Sequence, residues 1–170
     1  MEKILENKKV LVVDDEPDIL ETLEELLYTS MVDTASSFEQ AVDCLKNNTY
    51  DVAVLDIMGV KGYELLKITD KLNIPSLMLT AHALTPDNLK QSMEQGADAY
   101  VPKDKLVDIS IFVADVLTAR QQGSRKRVEW FSMLRPVFNK IFGKEWMSSD
   151  KDFWDEFEKK NMGASDSNNN

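Results

Sequence analysis

Short apolar runs and longer amphipathic stretches alternate along the first 119 residues. Val10-Leu11-Val12-Val13 is apolar without alternation, as a strand buried on both faces would be. Pro17 opens a helical pattern with Ile19, Leu20, Leu23, Leu26 and Leu27 on one side. Met31–Ala35 reads as a second strand, and Ser36 or Ser37 can cap a helix through Ala41, Val42 and Leu45. Asp51–Leu55 is a third strand, followed by a helix over Gly62–Leu72. Pro75–Leu79 is a fourth strand. Pro86-Asp87 starts a helix that Gly96 ends. Asp98–Val101 is a fifth strand, and Asp104 is placed to cap a long helix carrying Leu106, Val107, Ile109, Ile111, Phe112, Val113, Val116 and Leu117. This order predicts an α/β fold, a doubly wound five-stranded parallel sheet covered on both faces.

The pattern changes near residue 120. Gln121-Gln122-Gly123-Ser124 reads as a linker, giving segments 7–119, 120–124, 125–162 and a polar, disordered tail over 163–170. Within 125–162, Val128, Phe131, Leu134, Phe138 and Ile141 form one helical stripe. Pro136 leaves two readings, a kink or the first turn of a second helix. Ser149-Asp150-Lys151-Asp152 resembles a capping box before a short helix with Phe153, Trp154 and Phe157. All three tryptophans lie in this helical C-terminal extension.

Charge sharpens that division. Residues 1–119 carry 10 basic and 22 acidic side chains, whereas residues 120–170 carry 10 and 8. The acidic part repels nucleic acid, and the extension has no clear helix-turn-helix, so no nucleic-acid partner is expected. A single cysteine, Cys44, excludes an intrachain disulfide; it falls in the apolar pattern of its helix and reads as a small core residue. No apolar run approaches the roughly 18–20 residues that span a bilayer, and the first residues lack a signal-peptide core, so a cytoplasmic protein is expected.

Open parallel sheets bind ligands beyond the carboxyl ends of their strands. Those ends carry Asp14-Asp15, Asp56, Thr80 and, after the fifth strand, Lys103. If the strands are neighbours, three carboxylates, a hydroxyl and an ammonium converge. Clustered carboxylates need a cation to stay ionised, and Mg²⁺ suits oxygen ligands and phosphate. That is equipment for phosphoryl transfer to a carboxylate.

Four motifs, Val12-Val13-Asp14-Asp15-Glu16, Val54-Leu55-Asp56-Ile57-Met58, Met78-Leu79-Thr80-Ala81 and Ala97-Asp98-Ala99-Tyr100-Val101-Pro102-Lys103, stand in this order. Together they resemble the receiver domain of bacterial two-component response regulators, over roughly residues 7–119. The resemblance implies the flavodoxin-like strand order 2-1-3-4-5. It implies that Asp56 takes a phosphoryl group from a histidine kinase or phosphotransfer protein. Asp14, Asp15, Asp56 and the backbone carbonyl of Met58 would hold Mg²⁺, Asp14 mainly through water. Lys103 would pair with Asp56 and then the phosphoryl oxygens, and Thr80 would donate its hydroxyl to one of them. Tyr100 would change rotamer, and the surface of the fourth helix, fifth strand and fifth helix would then change for an unknown downstream protein. Met58 and His82, the only histidine, would tune the lifetime of the adduct.

Two features depart from the family. The loop after Asp56 is two residues short and has Gly59 where proline is usual. Proline precedes Lys103 instead of following it, and the sequence leaves the isomer of Val101–Pro102 open.

Two other functions compete. An Asp/Mg²⁺ phosphatase-type hydrolase would place its nucleophile after strand 1 in an Asp-x-Asp pattern, whereas the lone acceptor here follows strand 3. A degenerate receiver would act only by binding, but it would not need the intact Asp14, Asp15, Asp56, Thr80 and Lys103 set. The extension's stripe could pack on the receiver or on a second copy as a homodimer, dock a partner, or lie on a membrane surface, since residues 125–142 carry five basic groups against Glu129 alone.

Overall fold

The computed structural model describes residues 2–82, 84–123 and 129–162. Five parallel strands, β1 (Lys9–Val13), β2 (Met31–Ala35), β3 (Val52–Asp56), β4 (Ser76–Thr80) and β5 (Ala99–Pro102), form one sheet in the order β2-β1-β3-β4-β5. Every residue of β3 and β4 is buried, as their unalternated apolar runs require. The edge strand β2 is mostly exposed.

Helices α1 (Glu2–Leu5), α2 (Pro17–Leu26), α3 (Phe38–Asn47), α4 (Gly62–Lys71), α5 (Pro86–Glu94) and α6 (Ile109–Gln122) surround the sheet. The short α1 and α2 meet α6, while α3 meets α4. Pro17 occupies the first turn of α2, and Ser37 caps α3 by accepting from the Gln40 amide. Cys44 is partly buried and packs against the core. The Thr85 hydroxyl caps α5 by accepting from the Asn88 amide, and the Tyr63 hydroxyl of α4 reaches Asn88 and Ser92 of α5.

Several local expectations are corrected. Asp104 caps no α-helix: residues Lys103–Asp108 wind as a 3₁₀ turn with a break at Lys105, and α6 begins at Ile109. Val107 in that turn points outward and is exposed. The linker starts later than predicted, because α6 continues through Arg120, Gln121 and Gln122. These residues favour helix, and the Arg120 guanidinium is held by both oxygens of Asp98. Gly123, at φ +65°, ends the helix. The Val101–Pro102 bond is trans, since the described chain has no cis peptide bond.

The extension forms α7 (Trp130–Phe142), a 3₁₀ turn at Trp146–Asp150 and α8 (Lys151–Met162). Its predicted start at Arg125, with Val128, and the tail over 163–170 lie outside the described residues. One helix runs through Pro136. The capping box is displaced by one residue: the Ser149 hydroxyl donates back to the Trp146 carbonyl, while the Asp150 carboxylate accepts from the Phe153 amide. Most of the apolar stripe faces the receiver: Phe131, Leu134 and Phe138 are buried with Trp130, and Trp146 and Trp154 close over them, whereas Ile141, in the last turn of α7, is exposed.

Candidate functional site

Parallel register brings the carboxyl ends of β1, β3, β4 and β5 to one edge. Asp14 follows β1 and is fully buried, and Asp56 ends β3 at 4% exposure. Asp15 points to solvent. One oxygen from each of these three carboxylates lies within 4.8 Å of the others. A divalent cation with oxygen ligands fits that spacing.

Lys103, just past β5, supplies the balancing charge. Its Nζ lies 2.8 Å from Asp14 Oδ2, 3.2 Å from Asp56 Oδ1 and 3.8 Å from Glu16 Oε2. Burial works against its ammonium, but Asp14 and then Asp56 outweigh burial and hold its pKa above the usual value. Asp14 Oδ1 accepts from the Glu16 amide at 2.9 Å. Its buried Oδ2 is paired with Lys103 by charge yet has no well-aligned hydrogen bond among the described residues, so it retains acceptor capacity. For Asp56, burial and then the Asp14 charge push the carboxyl from 3.8 up to about 6, with Lys103 opposing them. A bare site is therefore short of positive charge.

The loop after β3 closes the site from above. Gly59 has φ +82°, and a Cβ there would fall 2.4 Å from Asp15 Oδ2. A Cβ on Gly62 would fall 2.1 Å from the Asp56 carbonyl oxygen. The shortened loop thus fits because two glycines let its backbone lie against both acidic residues. Met58 and His82, both exposed, join Asp15, Glu16, Gly59, Ala81 and Lys103 around a cleft of about 230 Å³ over Asp56. Sequence reasoning assigned no role to Glu16; its place beside Asp14-Asp15 was the available signal.

Thr80 ends β4 with its hydroxyl buried and without an aligned hydrogen bond among the described residues. Tyr100, on β5, is fully enclosed. Burial raises its phenol pKa, while the Thr85 backbone and the Thr80 hydroxyl beside it partly offset that. The structure therefore brings together Asp14, Asp15, Asp56, Lys103, Met58 and His82, with Thr80 and Tyr100 one layer behind.

Comparison with known proteins agrees with this geometry. The family described as "Response regulator receiver domain" matches residues 10–110. The "Heme response regulator HssR" of Staphylococcus haemolyticus is 34% identical over 119 residues, covering 67% of this chain and 53% of that protein. The "Transcriptional regulatory protein YvrH" of Bacillus subtilis is 35% identical over 106 residues, covering 58% and 44%. The chain thus spans about half the length of these curated relatives. Among solved structures, a CheY-like receiver domain protein from Methanospirillum hungatei matches with TM-score 0.63 and 26% identity, covering 68% of this chain and 98% of that one.

Proposed function

The chain belongs to the response regulator receiver domain family, and on that premise we propose that Asp56 is a phosphoryl acceptor for a histidine kinase or phosphotransfer protein. The observation that carries the reading is the buried Asp56 carboxylate grouped with Asp14 and Asp15 and faced by Lys103 at 3.2 Å. Asp56 attacks the phosphorus of a phosphohistidine; the P–O bond forms as the P–N bond breaks, and the imidazole leaves with a proton. Lys103 then pairs with a phosphoryl oxygen, and the buried Thr80 hydroxyl, which has no aligned hydrogen bond among the described residues, donates to another. Asp14, Asp15, Asp56 and the Met58 carbonyl would hold Mg²⁺, with Asp14 acting mainly through a water. When bound, the ion neutralises phosphoryl charge.

The movement of Thr80 frees Tyr100 to reorient, which alters the surface made by α5, β5 and α6. These are the fourth helix, fifth strand and fifth helix of the receiver, counted without α1. Output runs through protein contact. The word "transcriptional" belongs to YvrH, of which less than half is matched. Met58 and His82, at the rim, govern access of water to the adduct, so His82→Ala changes its lifetime severalfold; an unchanged lifetime removes that role.

Incubation with acetyl phosphate and Mg²⁺, followed by intact-mass measurement, tests the proposal. The wild type gains one phosphoryl group, and chelation of the metal or Asp56→Asn prevents it. Equal gain by Asp56→Asn, or sustained hydrolysis of small phosphomonoesters, contradicts it.

A further inference from the structure

The surface that the proposed switch would alter is already covered by the chain's own α7 and α8. Each element of that surface makes a separate contact with the cover. From α6, the buried Asp115 carboxylate accepts from the Trp130 and Glu129 amides at 2.9 and 3.0 Å, satisfying donors at the start of α7. From β5, the Tyr100 ring packs 6.1 Å from Phe138 of α7. From α5, Lys90 pairs with Asp150 and stands 5.2 Å over the Phe153 ring. Tyr100 is therefore enclosed between Thr80 and Phe138, and Phe138 is itself fully buried.

This placement ties the cover to the phosphoryl site. The Thr80 hydroxyl stands beside the Tyr100 phenol with no aligned hydrogen bond among the described residues, and a phosphoryl oxygen on Asp56 would supply an acceptor. Drawing Thr80 toward Asp56 moves its hydroxyl away from the Tyr100 phenol, whose other neighbour is the backbone of Thr85, the cap of α5. Tyr100 packs on Phe138, and α5 carries Lys90, so both contacts with the cover adjoin the groups that move. We infer that α7 and α8 are a tethered occupant of the α5–β5–α6 surface, held while Asp56 is bare and released when Asp56 is phosphorylated, so that a downstream protein gains the surface only then. The inference rests on the phosphoacceptor reading above. Coupling between two sites is reciprocal, so loosening the cover must also favour phosphorylation.

The three tryptophans, Trp130, Trp146 and Trp154, all lie in the cover and are all buried, so their emission reports on it alone. The full chain is treated with acetyl phosphate and Mg²⁺ while intact mass follows phosphoryl occupancy and fluorescence follows the cover. Emission shifts to the red in step with occupancy, and Asp56→Asn shows neither change. Lys90→Ala, a change at a partly exposed side chain outside the phosphoryl site, raises phosphoryl occupancy at limiting acetyl phosphate by roughly fivefold or more. Full occupancy of the wild type with unchanged emission, and unchanged occupancy of Lys90→Ala at limiting acetyl phosphate, overturn the inference and leave the phosphoacceptor reading standing. No phosphoryl gain at all overturns that reading, and the inference with it.

Discussion

Asp56 holds its carboxylate against burial and the charge of Asp14, which together raise it from 3.8 to about 6. Above about pH 6 the folded chain carries a charge that the unfolded chain bears at lower cost. Below the unfolded value both forms are neutral and the penalty disappears. Asp56→Asn is therefore expected to stabilise the metal-free protein at neutral pH by about 1 kcal/mol, allowing for screening at the open cleft. Urea unfolding should show that gain shrinking below pH 6 and vanishing near pH 4. Lys103 has the opposite role. With Lys103→Ala, the fully buried Asp14 and its neighbour Asp56 lose their balancing cation. A loss of about 3 kcal/mol is expected, partly recovered by Mg²⁺; unchanged unfolding midpoints would mean that the pair contributes nothing. These residues were legible in the sequence because strand ends on a parallel sheet fall at one edge. The rise in Asp56's pKa was not, since it depends on burial and on distances between segments far apart in the chain.

Among the elements, the loop after β3 decides how the acidic residues are held. Gly62→Ala would set a Cβ 2.1 Å from the Asp56 carbonyl, a backbone atom with little freedom to yield. A loss above about 2 kcal/mol is expected, with weakened binding of divalent cations; calorimetry with Mg²⁺ checks both. Asp115→Ala should act elsewhere. It removes the acceptor for the Glu129 and Trp130 amides and costs about 1–2 kcal/mol. Hydrogen exchange should quicken in α7 while the sheet keeps its protection. The sequence showed where most strands and helices lie, because periodicity reports burial directly. It misplaced the caps at Asp104 and Ser149, where several polar residues stand together and only the backbone path selects the acceptor. Asp115 drew no attention in the sequence, because nothing local marks the helix end that it meets.

For the molecule as a whole, the order 2-1-3-4-5 and the acidic site place the chain in its family, and α7 with α8 add what the matched residues 10–110 do not contain. The aromatic stripe was legible as a helix face, but its destination was not. Spacing fixes which residues share a side and leaves open whether that side meets the receiver, a second copy, a partner or a membrane. In the folded chain its helix meets β5 and, through the Trp130 amide, Asp115 of α6, and Trp146, Trp154 and Phe157 complete the layer. The role of that layer depends on whether Asp56 itself takes the phosphoryl group. Borohydride trapping of the adduct, which converts a phosphorylated aspartate to homoserine, followed by peptide mass mapping, identifies the acceptor directly. The account predicts homoserine at position 56 alone; homoserine at position 14 or 15, or no conversion in a sample whose mass shows a phosphoryl gain, would contradict it.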